Sequence, residues 1–282
     1  MNTTAPVTVV GATGQQGSAT VDALLDRGIP VRALTRNSDS AAARALAQRG
    51  VEVVTADLAA PETVRRAFDG AAAAFAMTTF GGPGGTEGEV GQGKVIGEAA
   101  QAAGLPFLLF SSVGGAERHS GIPHFESKGR IESLLSDAVP INIVRPTFFM
   151  ENLLYMTGRD GDEWSVRLPL PGDVPLQMIS VRDIGKTAAA LLASRDPEAA
   201  PVEIAGDELT GEQIAERLGQ RLGAPARFVE LPLGALGDDD DQKAMFQWFT
   251  KLPAYRADFD RTRELVPDVA DLVTWLQRQS LG

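Results

Sequence analysis

A glycine-rich segment close to the N-terminus restricts the folds available to this chain more than any other feature. Residues 11–17 read GATGQQG, follow the apolar run 7–10 and lead into an amphipathic stretch at 15–27. In such an order of strand, turn and helix, the first glycine makes the turn, the second admits a pyrophosphate, and the third lets the helix lie close to the strand. The helix N-terminus adds a positive dipole. A dinucleotide site is therefore predicted, with a purely structural glycine turn as the alternative. Its predicted contacts are Gly11, Thr13, Gly14, Gln15, Gln16 and Gly17.

Strand and helix patterns alternate regularly through the first half of the chain. Short apolar runs indicate strands at 7–10, 31–35, 51–55, 72–77, 106–111 and 141–144. Helical patterns lie between them at 15–27, 41–48, 61–68, 91–103 and 127–136. Strands that are apolar on both faces and alternate with helices predict a parallel sheet covered on both sides. The predicted fold class is α/β, a doubly wound parallel Rossmann sheet, with residues 1–150 as the NAD(P)-binding domain.

The regular alternation of strand and helix patterns ends after Arg145. Residues 151–180 are irregular and rich in proline and aromatic side chains. Beyond them, a strand is predicted at 201–205, and helices are predicted at 181–194, 241–250 and 269–279. A further helix is predicted to begin at Thr210, which forms a capping box with Gln213. Residues 151–282 are predicted to form a smaller C-terminal α/β lobe on the substrate side, either separate from the Rossmann sheet or interleaved with it. The glycine-rich stretch 78–89 is predicted to be a flexible loop, because it lacks the lysine of a phosphate loop.

The composition excludes several classes of chemistry and of partner. The chain has no cysteine and two histidines, which excludes thiol and iron–sulfur chemistry and argues against a metal site. The net charge of −11 argues against direct binding of nucleic acid or of an anionic membrane. The acidic run 238–241 is interpreted as a solvated loop or helix start, with a cation site as the alternative. Because no apolar run is long enough to span a membrane and residues 1–4 lack the basic start of a signal peptide, we expect a cytoplasmic protein. We expect it to be a monomer or a homodimer.

The choice of dinucleotide depends on the residues that end the second and third predicted strands. Arg36 stands where an NAD-binding fold usually carries an acidic residue for the ribose 2′-hydroxyl. A guanidinium at that position suits a 2′-phosphate, although a surface arginine stacked on adenine is the alternative. Asp57 ends the third strand and either accepts from the adenine amino group or caps a helix. NADP(H) is therefore the preferred cofactor, with NAD(H) as the alternative.

Together these residues resemble the NmrA-like group of atypical short-chain dehydrogenases. The matching motifs are GATGQQG at 11–17, TRN at 35–37, ADL at 56–58, FSSV at 110–113, RPTFFMEN at 145–152 and VRDIG at 181–185. The resemblance implies a Rossmann fold and a cofactor pocket, but it does not imply one activity. Members include reductases, redox-responsive regulators that bind NADP without turning it over, and tailoring enzymes of aromatic natural products. Further cofactor contacts are expected at Leu58, at Thr78, Thr79 and Phe80 beneath the ribose, and at Pro146 and Thr147 beside the nicotinamide.

Typical short-chain dehydrogenases carry a tyrosine and, four residues later, a lysine, and this chain lacks that pair. Neither of its two tyrosines, Tyr155 and Tyr255, is followed by lysine at that spacing. His124 takes the tyrosine position relative to Lys128, and on a helix this spacing places both side chains on one face. Imidazole can act as an acid or base near neutral pH, so His124 is a candidate proton donor and Lys128 a candidate ribose ligand. An ordinary loop histidine is the alternative. Ser111 and Ser112, just past the fifth predicted strand, are candidates for binding a substrate oxygen or are simple loop hydroxyls.

Aromatic and methionine side chains cluster in the irregular segment that follows the sixth strand. The predicted substrate contacts are Phe80, Phe148, Phe149, Met150, Tyr155 and Trp164. Such a lining fits a flat, apolar substrate that carries a carbonyl group, such as a quinone, although aromatic clusters also form ordinary cores. Three functions remain open: an NAD(P)H-dependent oxidoreductase for such a substrate, an NADP(H)-sensing regulator without turnover, and a tailoring enzyme that oxygenates or rearranges an aromatic polyketide.

Overall fold

The computed structural model describes residues 5–197 and 199–280, apart from the side chain of Asp160. Residues 1–4, on which the expectation about a basic start rests, lie outside this part. The strands are β1 Val7–Val9, β2 Val31–Thr35, β3 Glu52–Thr55, β4 Ala73–Met77, β5 Leu108–Ser111, β6 Ile141–Pro146, β7 Phe148–Phe149, β8 Thr157–Asp160, β9 Glu163–Leu168, β10 Pro175–Ile179, β11 Val202–Ile204, β12 Asp207–Thr210 and β13 Ala226–Glu230. The α-helices are α1 Gln15–Asp26, α2 Ala41–Gln48, α3 Pro61–Phe68, α4 Gly85–Ala102, α5 Pro123–Ser136, α6 Leu153–Met156, α7 Val181–Ser194, α8 Gly211–Leu222, α9 Asp240–Phe249, α10 Phe259–Leu265 and α11 Leu272–Gln277.

The central sheet holds seven strands within the described residues, in the order β11-β6-β5-β4-β1-β2-β3, and all its pairs are parallel. Its inner strands are buried on both faces, as the apolar runs predict. One hydrophobic core joins the sheet to α1 and α7, and a second joins it to α3, α4 and α5. The predicted doubly wound α/β fold is confirmed.

Glycines allow the helices on one side of this sheet to approach very closely. A Cβ atom on Gly17 would lie 2.1 Å from the Gly11 carbonyl oxygen, so the first turn of α1 touches the loop that precedes it. A Cβ atom on Gly185 of α7 would lie 2.4 Å from the carbonyl of Ala19 in α1. Since real Cβ atoms do not approach other atoms so closely, both contacts require glycine. Helix α7 thus packs directly on α1, and β11 pairs with β6 in the central sheet, so both belong to the same layers as the first 150 residues.

Two helices begin earlier than their sequence patterns predict. Helix α4 starts at Gly85, so the predicted loop 78–89 is shorter than expected. Glycines lower its intrinsic helix propensity, but Glu89 is fully buried in a polar network, and this tertiary contact outweighs propensity. Helix α5 starts at Pro123, where proline suits the first helical position, and this start places His124 in the first turn.

The prediction that residues 151–180 are irregular is wrong. Strands β8 and β9 form an antiparallel hairpin, and the later strand β13 pairs in parallel with β9. Strand β10 pairs in parallel with β7 and antiparallel with β12. These strands are short, and some of their partners lie far along the chain, so local periodicity does not reveal them. With α8, α9 and α11 they enclose a third hydrophobic core. The predicted capping box of Thr210 and Gln213 is confirmed at the start of α8. No helix within the described residues has the length and apolar character needed to cross a membrane.

Candidate active site at the carboxyl edge of the sheet

The carboxyl ends of the parallel strands bring most of the predicted site residues to one edge of the sheet. The glycine turn follows β1, Arg36 follows β2, and residues 78–80 follow β4. Ser111 ends β5, and the first turn of α5 carries His124. Ligands of open α/β sheets bind at this edge, where the strand order reverses.

The glycine turn leaves the N-terminus of α1 open to an anion. Gly11 has φ +67°, in the left-handed region, and its carbonyl oxygen accepts the Gly14 N–H at 2.9 Å. Gly14 is the N-cap residue, and no side chain caps the helix there. The first turn also lacks an acidic side chain. Unsatisfied N–H groups and the positive end of the helix dipole thus face the edge of the sheet, and the first turn of α1 itself supplies no anion to them.

Arg36 and Asp57 follow β2 and β3 at this edge, and both stay predicted contacts for the adenosine end of a dinucleotide. Arg36 is exposed and has no ion pair or side-chain hydrogen bond with any residue in the described ranges. One carboxylate oxygen of Asp57 accepts the Ala59 N–H at 2.9 Å, which forms a local turn. Asp57 is not the helix cap that the sequence left open, because Ala60 occupies the N-cap position of α3. Leu58 is half-buried against the core on that side of the sheet.

A buried polar network surrounds Lys128. Its Nζ donates to the Thr78 carbonyl at 2.9 Å and to Thr78 Oγ1 at 3.0 Å, and it lies 3.0 Å from Glu89 Oε1. Glu89 also accepts from the hydroxyls of Thr78 and Ser127. Burial lowers the pKa of Lys128, and the charge of Glu89 offsets only part of this effect.

These contacts bear on the role expected for Lys128. An ammonium group has three hydrogens, and Thr78 and Glu89 together offer an acceptor for each of them. A ribose hydroxyl would therefore have to share or displace one of these acceptors. The assignment of Lys128 as a cofactor ligand stays a prediction. Of its neighbours, Thr79 is exposed and both its backbone groups bond the side-chain amide of Gln92.

His124 is held on three sides. Its backbone N–H donates to Asp241 Oδ1 at 2.9 Å. Its ring Nδ1 lies 2.5 Å from Asp241 Oδ2, but the angle at Nδ1 is not that of a normal hydrogen bond. The Phe80 ring stacks on the imidazole at 4.9 Å between centroids, and the Phe125 ring meets it edge-on at 4.7 Å. Burial by itself would raise the pKa of Asp241, but the hydrogen bonding and charge of His124 outweigh it, so the pKa lies below its usual value.

The two serines at the end of β5 differ in their contacts. Ser111 is fully buried, and its hydroxyl donates to Gln16 Oε1 at 2.6 Å, which ties β5 to the first turn of α1. The Ser112 hydroxyl is buried and has no hydrogen-bond partner among the residues the structure covers. A buried hydroxyl without a partner is uncommon in a folded protein and marks a place where a ligand atom could be satisfied.

The residues after β6 divide between core and surface. The Thr147 hydroxyl donates to the Ile204 carbonyl at 3.0 Å and is buried between β6 and β11. Of the predicted substrate contacts, Phe148 and Met150 lie in the third core and Phe149 packs against the first. Tyr155 is 83% exposed, and Trp164 is half-buried with the Arg159 guanidinium 5.7 Å from its ring. Pro146 ends β6, and its carbonyl accepts the Gly114 N–H.

Comparison with known proteins places the chain in a family. The NmrA-like family matches residues 3–267. The chain belongs to the NmrA-like family. The resemblance seen in its motifs is therefore confirmed. Among its relatives, an NAD(P)H azoreductase from Xenophilus azovorans is 29% identical over 229 residues, which cover 80% of this chain and 77% of the azoreductase.

Solved structures share the fold along almost the whole chain. An NADPH-dependent quinone oxidoreductase from Escherichia coli, crystallised with NADPH, has a TM-score of 0.80 at 22% identity and covers 96% of this chain and 98% of its own. NmrA, a negative transcriptional regulator crystallised with NADP, has a TM-score of 0.82 at 18% identity and covers 97% of this chain and 95% of its own. At such identities the likeness shows the fold alone.

Sequence reasoning missed two residues that contribute to this NmrA-like site. Glu89 lay in a predicted loop, and Asp241 belonged to an acidic run interpreted as a helix start. Asp239 and Asp240 do form that start, as N-cap and first residue of α9, but Asp241 turns toward α5. No local signal could identify these contacts, because each joins segments far apart in the chain.

Proposed function

We propose that this chain is an NADP(H)-dependent oxidoreductase that reduces a flat, apolar carbonyl substrate such as a quinone, with His124 as the proton donor. The observation that carries the proposal is the convergence, at one sheet edge, of an open helix N-terminus and a fixed, stacked imidazole. A cofactor fold with no acid near the reacting position would favour binding alone. The relative named as an NAD(P)H azoreductase supports the same reaction class.

The residues at this edge fit a phosphorylated dinucleotide. Pyrophosphate oxygens would accept from the free N–H groups that open α1, where Gly14 leaves room. Arg36 has no protein partner among the described residues and would pair with a 2′-phosphate. The partnerless Ser112 hydroxyl offers a donor at the same edge. When bound, a reduced nicotinamide supplies the hydride.

The chain's own residues would orient the acceptor and supply the proton. The stacked rings of Phe80 and His124 offer an apolar wall on which a planar substrate could lie. Nδ1 of His124 faces Asp241, which leaves Nε2 as the ring nitrogen available to a substrate oxygen. A positioned acid of this kind contributes about 10²–10⁴-fold to a rate.

The test is NADPH oxidation against a panel of quinones, enones and azo compounds, run with and without oxygen, with product masses measured. Reduction gives products that carry two added hydrogens in both atmospheres. Oxygen incorporation would instead assign a tailoring oxygenase. NADPH that binds but is not oxidised by any compound would remove the proposal.

A regulator that binds NADP(H) without turnover is the second candidate. The observation that favours it is the full set of protein acceptors around Lys128, because these acceptors compete with the ribose contact made by the catalytic lysine of typical short-chain dehydrogenases. In that case the cofactor binds, no substrate in the panel reacts, and the bound protein differs from the free protein in its association state or partner binding.

A further inference from the structure

We propose that Asp241 is a positioning residue for His124, and that α9 must be docked on α5 for proton transfer to occur. This inference rests on the proposed function, since it assigns the group that prepares the proton donor. It gives the acidic run at the start of α9 a task that neither a solvated loop nor a simple helix start requires.

The contact between the two residues is made through both carboxylate oxygens. Asp241 Oδ1 accepts the backbone N–H of His124, and Oδ2 lies 2.5 Å from the ring Nδ1. Both Nδ1 and Oδ2 are buried, and neither makes a hydrogen bond of normal geometry with any atom of the described residues, including each other. Their close contact is the only polar contact that either buried atom makes within the described residues, which distinguishes this pair from a chance contact at the surface.

The negative charge of Asp241 favours the form of the imidazole that carries a proton on Nδ1. A carboxylate can only accept, so a proton on Nδ1 is favoured and the lone pair or second proton resides on Nε2. When Nε2–H breaks, its proton passes to the substrate oxygen that becomes negative as the carbon framework accepts a hydride from the reduced nicotinamide. The ring is then left neutral with its proton on Nδ1, and solvent later returns a proton to Nε2.

The contact also links two distant segments of the chain. Asp241 lies in the first turn of α9, whose other residues Phe246 and Phe249 are buried in the third core. His124 lies in the first turn of α5, which packs on the central sheet. If α9 moved away, His124 would lose the partner of its Nδ1 and the acceptor of its backbone N–H together.

A purely structural reading of Asp241 makes a different prediction. The N-cap residue of α5, Ile122, has no side-chain acceptor, so Asp241 could serve only as a helix cap supplied from another segment. Asp241→Asn separates the two roles. The amide oxygen can still accept the His124 N–H and keep the cap, whereas the amide nitrogen would donate toward Nδ1 and favour the neutral ring with its proton on Nε2.

The experiment compares wild type, Asp241→Asn and Asp240→Asn. Asp240 is the matched control, because its side chain is 91% exposed and pairs with Lys243 rather than with α5. The first readout is the ¹⁵N spectrum of the imidazole in apo protein, which reports the ring tautomer without cofactor or substrate. The chain has two histidines, so the background variant His119→Asn leaves a single imidazole signal.

We expect Nδ1 to carry the proton of the neutral ring in wild type and Asp240→Asn, and Nε2 to carry it in Asp241→Asn. With a substrate found in the panel, Asp241→Asn should lower kcat at least tenfold and change the Kd for NADPH less than twofold. An unchanged tautomer, or a tautomer change with unchanged kcat, would overturn the inference. Lack of any NADPH oxidation by wild type would instead count against the proposed function, and the spectrum would still show whether Asp241 sets the tautomer.

Discussion

The buried pair of Glu89 and Lys128 gives a stability prediction whose size follows from its contacts. Glu89 is fully buried, Lys128 is 8% exposed, and Nζ lies 3.0 Å from Oε1. Glu89→Gln keeps the shape and the ability to accept from Ser127, but it leaves the ammonium facing a neutral amide. Removing one partner of a buried pair costs about 3–5 kcal/mol. Because two oxygens of Thr78 still accept from the ammonium in the variant, we expect the lower end of this range, about 3 kcal/mol.

A double-mutant cycle isolates the pair. Lys128→Met leaves the carboxylate buried without its cation and should cost a similar amount. The double variant removes both charges, and such replacements are often close to neutral. We therefore expect it to lose at least about 3 kcal/mol less than the sum of the single changes.

The assay is urea unfolding of the apo protein, with midpoints compared at a constant m value. A loss of 3 kcal/mol should also lower Tm by roughly 6 °C or more for a chain of this size. Glu87→Gln is the matched control, because Glu87 pairs with Arg130 across the same two helices but on the exposed surface, where such pairs contribute little. If Glu89→Gln shifts the midpoint no more than Glu87→Gln, or if the cycle is additive, the reasoning about this network is refuted.

Three further expectations concern the cofactor edge and the α5–α9 contact. Arg36→Glu should weaken NADPH binding by about tenfold to a hundredfold, as expected for one lost charge-assisted hydrogen bond, and NADH binding far less; equal losses in calorimetry would show that Arg36 does not contact the 2′-phosphate. Gly17→Ala should abolish tight cofactor binding, because the added Cβ would lie 2.1 Å from the Gly11 carbonyl oxygen and would displace the glycine turn. An unchanged Kd for NADPH in calorimetry would contradict this expectation. The pKa of Asp241 is lowered in the folded protein, so its contribution to stability is present above about pH 4 and is lost as the pH falls through the folded pKa. The free energies of unfolding of wild type and Asp241→Asn should therefore converge below that pH, and a constant difference down to pH 2 would contradict the assignment.

The sequence predicted the central sheet well because its signals are local. Apolar runs, the glycine turn and the capping box at Thr210 each arise within a few residues, and each matches the structure. The strands between residues 157 and 179 were missed because their partners include β12 and β13, which come much later in the chain. Nothing in their own composition distinguishes them from an irregular segment.

The candidate site divides in the same way. The glycine turn and the placement of His124 four residues before Lys128 follow from spacing alone. The residues that define the surroundings of these side chains, Glu89 and Asp241, come from other helices and carry no local motif. Burial of Met150 and exposure of Tyr155 likewise depend on how the C-terminal strands pack, which periodicity does not report.

The central claim is that this chain reduces its substrate with a proton from His124. The most direct measurement is a single-turnover reaction of the NADPH complex with a substrate from the panel, under anaerobic conditions, for wild type, His124→Ala and the exposed control His119→Asn. We expect wild type and His119→Asn to oxidise NADPH at the same rate and to yield the two-hydrogen product, and His124→Ala to react at least tenfold more slowly while binding NADPH equally well. Equal rates for His124→Ala and wild type would contradict the claim.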